Sequence, residues 1–296
     1  MKVLIVESTH ITLSRNGASM YHHNLAKLMQ SWGWQVVNCG HQTKVAFDYD
    51  GIQAMPYSNI EHLYKWADII ITTPGKFRHN PDSKPIVLVQ HNTNREPFVK
   101  ADNHVLYCGY NVKRVCNYGC KSDHVFWPIN RYEGAEPLPP NPSGKITLVN
   151  CNANKGGRHL IKFAEDNPDL QFLGITEGYG HQITKKLPNL EYRAGNIDLR
   201  EVLKDTSILI MPSEKEGLPT LALEAMSLGI PVFGSDIPAF DEIGATSAPI
   251  KRMIAYVRAM LPAYNYFRVA SLHNASINAQ KNDKEALKNW FSTLCS

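Results

Sequence analysis

The chain has no apolar run approaching the ~20 residues that a membrane-spanning helix needs. Its opening stretch, MKVLIVES, has four consecutive apolar residues, too few for a signal-peptide core, so a soluble, cytoplasmic protein is expected. Cysteine is sparse and scattered, at Cys39, Cys108, Cys116, Cys120, Cys151 and Cys295. Cys116 and Cys120 are close, but no second Cys or His pair completes a zinc-site spacing, so these read as free thiols of a reducing compartment. Charge of either sign is not in excess. With 31 Lys+Arg against 27 Asp+Glu, the net +4 admits a phosphate-bearing ligand or nucleic acid and requires neither. Internal repeats and low-complexity tracts are missing. So is a G-x-G-x-x-G between Glu7 and Tyr21, which argues against a dinucleotide-dependent dehydrogenase.

What is present is strand and helix in alternation. At 296 residues and 43% hydrophobic content, the chain can bury two modest cores. Val3 to Val6 reads as a buried strand, followed by a loop with Ser14, Arg15, Asn16 and Gly17. A helix then places Tyr21, Leu25, Leu28 and Trp32 on one face and stops at Gly33. Strands follow at 34–38, 68–72, 85–90 and 104–107, with a helix over 111–118. Near-continuous apolar strands joined by helices predict a parallel sheet covered on both faces. Glu133 to Gly144, EGAEPLPPNPSG, has four prolines and no periodicity, and reads as an interdomain linker. A second series runs through strands at 146–150, 170–174, 190–192 and 207–211, with helices over 158–165 and 199–204. The expected domains are 1–132 and 145–267, joined by 133–144. Late helices are expected over 250–261, with Lys251, Arg252 and Arg258 on a basic side, and over 283–294.

The most informative stretch is Pro212 to Ile243, PSEKEGLPTLALEAMSLGIPVFGSDIPAFDEI. Strand 207–211 ends at Pro212, the loop SEKEGL carries Glu216, and Pro219 suits the first position of a helix. That helix, with Glu224 in its second turn, stops at Gly229, with Pro231 just beyond. Its N-terminus faces the loop and offers a site for an anion such as phosphate. On one helix, residues eight apart lie roughly 80° apart in projection and two turns apart along the axis. The two glutamates therefore suit two parts of a long ligand.

These residues, with EGLP, LEAM, G-x-PV and the closing EI in place, resemble the E-x7-E signature of the large family 4 of retaining, GT-B glycosyltransferases, of a short type found in bacteria and phages. The resemblance implies two doubly wound, Rossmann-like parallel-sheet domains facing across a cleft, the first on the acceptor side and the second binding a nucleotide sugar. It implies that helices over about 268–296 pack back onto the first domain. It assigns Glu216 to the donor sugar's hydroxyls and Glu224 to the nucleotide ribose, with Gly217, Leu218, Pro219 and Thr220 around them. Asn154-Lys155-Gly156-Gly157 resembles the family's Lys-Gly turn, whose lysine contacts the donor diphosphate. The arginine usual five residues before that lysine is Asn150 here, which leaves Arg158 as the candidate second cation. Asn16-Gly17 resembles the glycine turn of the first loop, and His91 a histidine beside the donor sugar. No cofactor and no metal ion are implied, since Lys155 and the helix N-terminus would neutralise the diphosphate. Asp48-Tyr49-Asp50 has the D-x-D form of metal-dependent glycosyltransferases but lies in a polar loop, and is rejected as a metal site.

Several of these features also read as plain structure. Lone His91 at a strand end, Lys155 in a turn and Gly17 at a helix start need no ligand. The acceptor stays open between saccharide, lipid, protein and a hydroxymethylated base of phage DNA. Lys113, Arg114 and Lys121, set among Tyr110 and Tyr118, could track a nucleic-acid backbone or form a solvated helix face. The basic helix over 250–261 could lie on a membrane or face water. A non-catalytic sugar-nucleotide-binding protein is the alternative to an enzyme.

Overall fold

The computed structural model of the chain describes residues 1–8, 10–12, 16–73, 84–97, 99, 103–176, 178–195 and 198–295. Ser14 and Arg15 of the first loop lie outside the described residues. The chain divides into two compact units, Met1–Ile129 with Asn282–Ser296, and Asn130–Lys281.

The first unit comprises β1 (Lys2–Glu7), α1 (Gly17–Ser31), β2 (Gln35–Gly40), β3 (Phe47–Tyr49), β4 (Ile52–Pro56), α2 (Ile60–Trp66), β5 (Ile69–Thr72), β6 (Ile86–Gln90), β7 (His104–Tyr107), α3 (Tyr110–Val115) and β8 (Ser122–Val125). Its described strands run in the order β3-β4-β2-β1-β5-β6-β7-β8, parallel throughout except for β3 against β4. Val3 to Val6 are fully buried, as a strand covered on both faces requires. Asn16 caps α1, its Oδ1 accepting the Ala18 and Ser19 amides at 3.0 Å each. The buried row on α1 is Tyr21, Leu25 and Met29, with His22 and Ala26 beside it. Leu28 and Trp32, expected in that row, are only partly buried, because a spacing of four from Leu25 brings Met29 to the sheet instead.

The second unit holds β9 (Lys145–Val149), α4 (Gly157–Asp166), β10 (Phe172–Thr176), β11 (Leu190–Ala194), α5 (Leu199–Lys204), β12 (Thr206–Met211), α6 (Thr220–Ser227), β13 (Val232–Ser235), α7 (Pro238–Ile243), β14 (Thr246–Ala248), α8 (Met253–Met260) and α9 (Tyr264–Ala279). The pairings between these strands are all parallel, in the order β11-β10-β9-β12-β13-β14. Pro219 is the N-cap of α6 rather than its first residue, and Gly229 takes the left-handed stop at φ 76°. None of the described helices is long and apolar enough to cross a membrane.

Two expected boundaries move. Residues 133–144 do not hang free but belong to the second unit. Leu138 is buried, its amide donates to the Leu228 carbonyl at 2.9 Å, and its own carbonyl accepts from Arg268. Asn141 Nδ2 likewise donates to the Lys204 carbonyl at 2.9 Å. Proline makes this segment irregular, and its carbonyls find partners on the domain surface. The return to the first unit begins at Asn282 rather than near 268, because α9 packs along α6 and stays with the second unit. Asn282 Oδ1 accepts the Trp127 amide at 2.8 Å, and α10 (Lys284–Leu294) follows, burying Leu287 and Phe291.

Candidate functional site

In the second unit the chain leaves β9 for β10 on one side and later places β12 on the other. The carboxyl ends of β9 and β12 therefore flank a topological switch point, where open α/β sheets take their ligands. The loop after β9 turns sharply. Asn150 sits at φ 66° and Gly156 at φ 98°, and the Lys155 amide donates to Asn152 Oδ1 at 2.9 Å. The loop after β12 is tied to it, the Glu214 amide reaching the Asn154 carbonyl at 3.3 Å. Across the two loops, Lys155 Nζ meets Glu216 Oε1 at 2.5 Å, with the Glu216 side chain only 8% exposed. Such a pair presents an ammionium's remaining donors and a carboxylate's remaining lone pairs at one spot, suited to a ligand carrying both phosphate and hydroxyl groups.

Glu224 projects from the middle of α6, where Ala222 to Met226 are buried. Arg131 grips it with two bonds, Nε to Oε1 at 2.8 Å and Nη2 to Oε2 at 3.2 Å. Burial pushes the Glu224 carboxyl above its ordinary value, and Arg131 pulls against that rise. A carboxyl raised on folding contributes stability below its unfolded value, about 4.3, and that contribution is lost as pH rises through the folded value. Thermal melts across the acidic range should therefore show wild type losing stability relative to Glu224→Gln as pH rises. Parallel melting curves at every pH would contradict this.

Asn150, standing where the family resemblance leads one to expect arginine, has a structural explanation. Its left-handed backbone is one that asparagine tolerates better than a long side chain. Its Oδ1 accepts from Gln182 Nε2 at 2.9 Å, and it lies against Gly178. Arg158 is exposed on the first turn of α4. Leu218 is buried, Gly217 and Thr220 are partly buried, and the Thr220 amide donates to the Leu218 carbonyl at 2.9 Å.

His91, Asn16 and Gly17 belong to the first unit. The side-chain oxygen of Asn16 is engaged by the α1 cap. His91 continues from β6 and its ring lies 5.1 Å from both Tyr21 and His22, edge to face. Burial, with His22 alongside, holds the His91 imidazole well below its ordinary pKa, so it is neutral at pH 7. Sequence reasoning missed the carboxylate beside His22. Glu7, at the end of β1, is 3% exposed, has no hydrogen-bond partner for either oxygen, and faces His22 Nδ1 at 3.7 Å. The signal was a carboxylate closing an apolar strand. Arg131 was missed too, and nothing in its local sequence marks it.

The D-x-D carboxylates serve a hairpin. Asp50 and Gly51 have φ of 53° and 73° between β3 and β4, an Asp-Gly turn of type I′ form. Asp48 Oδ1 accepts the Gly51 amide at 3.0 Å, and Asp50 pairs with His23 at 3.1 Å and Lys27 at 3.4 Å.

Residues 159–261, which include Glu216, Glu224 and most of the second sheet, match the family model described as Glycosyl transferases group 1. A curated relative, provisionally named the teichuronic acid biosynthesis glycosyltransferase TuaC of Bacillus subtilis (strain 168), is 30% identical over 84 residues. That match covers 26% of this chain and only 20% of the relative's length. Among solved structures, sucrose-phosphate synthase from Thermosynechococcus elongatus superposes with TM-score 0.74 at 12% identity, covering 99% of both chains. S. aureus TarM, in complex with fondaparinux, alpha-GlcNAc-glycerol and UDP, gives 0.76 at 10% identity over 100% of both. Anabaena HepE in complex with UDP and glucose gives 0.71 at 11%, covering 99% of this chain and 98% of that one. The two units thus have the α/β folds of GT-B glycosyltransferases.

Proposed function

We propose that the chain is a glycosyltransferase of the family 4 type that moves a sugar from a nucleoside diphosphate sugar to an acceptor hydroxyl. Transfer proceeds with retention of anomeric configuration and without a metal ion. The observation that carries this reading is the Lys155–Glu216 pair at the switch point of the second unit, with Glu224 buried on the adjoining helix. Two structural neighbours were solved with UDP, one of them together with glucose, which favours a nucleotide-sugar donor here. Lys155 and the α6 N-terminus stabilise charge developing on the departing diphosphate, and Glu216 orients the sugar. Engagement of Asp48 and Asp50 in a turn and in ion pairs supports the metal-independent form.

The patch considered for nucleic acid is partly spent. Lys113 pairs with Asp123 at 2.5 Å and Arg114 Nη2 donates to Asn111 Oδ1 at 3.1 Å. DNA binding should therefore be weak and show little salt dependence. A log–log slope of about −0.7 to −0.9 for each of several phosphates would instead restore a DNA acceptor.

The transfer itself is tested with a panel of UDP-, GDP- and ADP-sugars offered together with saccharide, lipid and polyol acceptors. The expected result is release of nucleoside diphosphate that survives a chelator, with the product's anomeric configuration retained by NMR. Inversion, or activity abolished by chelator and restored by manganese, would contradict the mechanism. Tight binding of a donor without release under any acceptor would favour the sugar-nucleotide-binding alternative.

A further inference from the structure

Arg131 belongs to no motif, yet its surroundings are arranged to hold it. Asn130 before it donates from Nδ2 to the Leu223 carbonyl at 3.1 Å and to Ser227 Oγ at 2.7 Å, one residue before Glu224 and three after it on α6. The Tyr132 amide returns to Asn130 Oδ1 at 3.0 Å. The Arg131 guanidinium lies 5.1 Å from the Tyr132 ring centre, and the Tyr132 hydroxyl donates to Asp198 Oδ1 at 3.0 Å. Asn130, Arg131 and Tyr132 therefore clamp the helical turn that carries Glu224. The Glu224 side chain is 8% exposed while that of Arg131 is 40% exposed. A carboxylate so buried in an apolar helix face is costly to ionise unless a cation holds it.

We propose that Arg131 is a positioning residue for nucleotide binding, fixing the Glu224 carboxylate, ionised and in one orientation, to accept hydroxyl groups of a ribose. The role rests on the nucleotide-sugar reading of the site. A two-point guanidinium contact occupies one lone pair on each oxygen and leaves one on each for the ligand's O–H donors. Lysine cannot reproduce it, because a point charge sets no carboxylate plane. Tyr132 and Asp198 face Arg131, and Tyr132 faces Glu224 as well.

The test is calorimetric titration of UDP, GDP and ADP into the whole chain between pH 5 and 8.5, as wild type, Arg131→Ala, Arg131→Lys, Glu224→Gln and Arg131→Ala/Glu224→Gln. The Glu224 carboxyl is followed in parallel by carbon NMR of glutamate-labelled protein, its resonance assigned by its loss in Glu224→Gln. Arg131→Ala should weaken nucleotide binding about tenfold at pH 7. The deficit should shrink as pH rises, and the Glu224 carboxyl should titrate at higher pH than in wild type. Arg131→Lys should fall between the two, and the double variant should bind no worse than Glu224→Gln alone. Unchanged or tighter binding in Arg131→Ala would overturn the proposal, as would a pH-independent loss additive with Glu224→Gln. An unmoved carboxyl titration would overturn it even where nucleotide binding is intact. Failure of wild type to bind any of the three nucleotides would instead remove the function proposed above, and the positioning role with it. If Arg131→Ala does not fold, Arg131→Lys supplies both readouts.

Discussion

Lys155→Ala is expected to lower turnover about 100- to 1,000-fold, the usual effect of removing one group that stabilises developing charge. The side chain is 20% exposed on a loop, so the fold should survive. Its loss also leaves Glu216 buried without the cation it bonds at 2.5 Å, so Lys155→Ala should weaken binding of the sugar-bearing donor more than that of bare nucleotide. The two glutamates should then separate by ligand. Glu224→Ala should cost bare nucleotide about 1.5–3 kcal/mol of binding, since a hydroxyl loses a charged partner. Glu216→Ala should leave bare nucleotide affinity nearly unchanged and depress turnover. Equal loss of nucleotide affinity in both variants would contradict this division of labour.

Gly157→Ala should be the most damaging small substitution in the second unit. A methyl at this position would lie 2.0 Å from the Cys151 carbonyl oxygen and 2.7 Å from its carbon. That carbonyl cannot easily retreat, because it accepts the Ile183 amide at 2.8 Å and Cys151 is fully buried. The Gly157 amide also closes the turn on the Asn152 carbonyl at 2.9 Å. Overpacking against fixed backbone costs about 1–3 kcal/mol or more, and any relief would displace Lys155, two residues away. Gly17→Ala is the matched control, with nothing within 4 Å of its added methyl. Denaturant melts should show a large loss for Gly157→Ala and no loss, or a slight gain, for Gly17→Ala. Equal stability of the two would contradict the close approach.

The strands that decide the topology were legible because they are buried on both faces. Thr206 to Met211 is buried at every position, so its sequence is an uninterrupted apolar run broken only by small hydroxyls. The turn carrying Glu216 and the helix carrying Glu224 were legible as well, since glycine and proline punctuate them. The hairpin of β3 and β4 was missed although Asp50-Gly51 is a strong turn signal, because its strands are short and half-exposed and carry little periodicity. Helix α9, expected only through the family resemblance, was not legible in its own pattern because its polar and apolar residues mix around the cylinder, and only Tyr264, Ser271, Ala275 and Asn278 are buried. The role of Arg131 is invisible in sequence for another reason. It meets Glu224 from 93 positions away, a distance that only the folded chain closes. The same holds for His22 and His91, whose rings meet at 5.1 Å through the packing of α1 on the sheet and not by spacing.

The most direct test of the central claim is titration of UDP-, GDP- and ADP-sugars into the wild-type chain, Glu216→Ala and Lys155→Ala. The structure predicts that at least one nucleotide sugar binds wild type more tightly than its bare nucleoside diphosphate. Glu216→Ala should abolish that advantage and leave the bare nucleotide almost unaffected, while Lys155→Ala weakens both and the sugar-bearing form more. A wild-type protein that binds none of these ligands, or binds them with equal affinity in all three forms, would contradict the account.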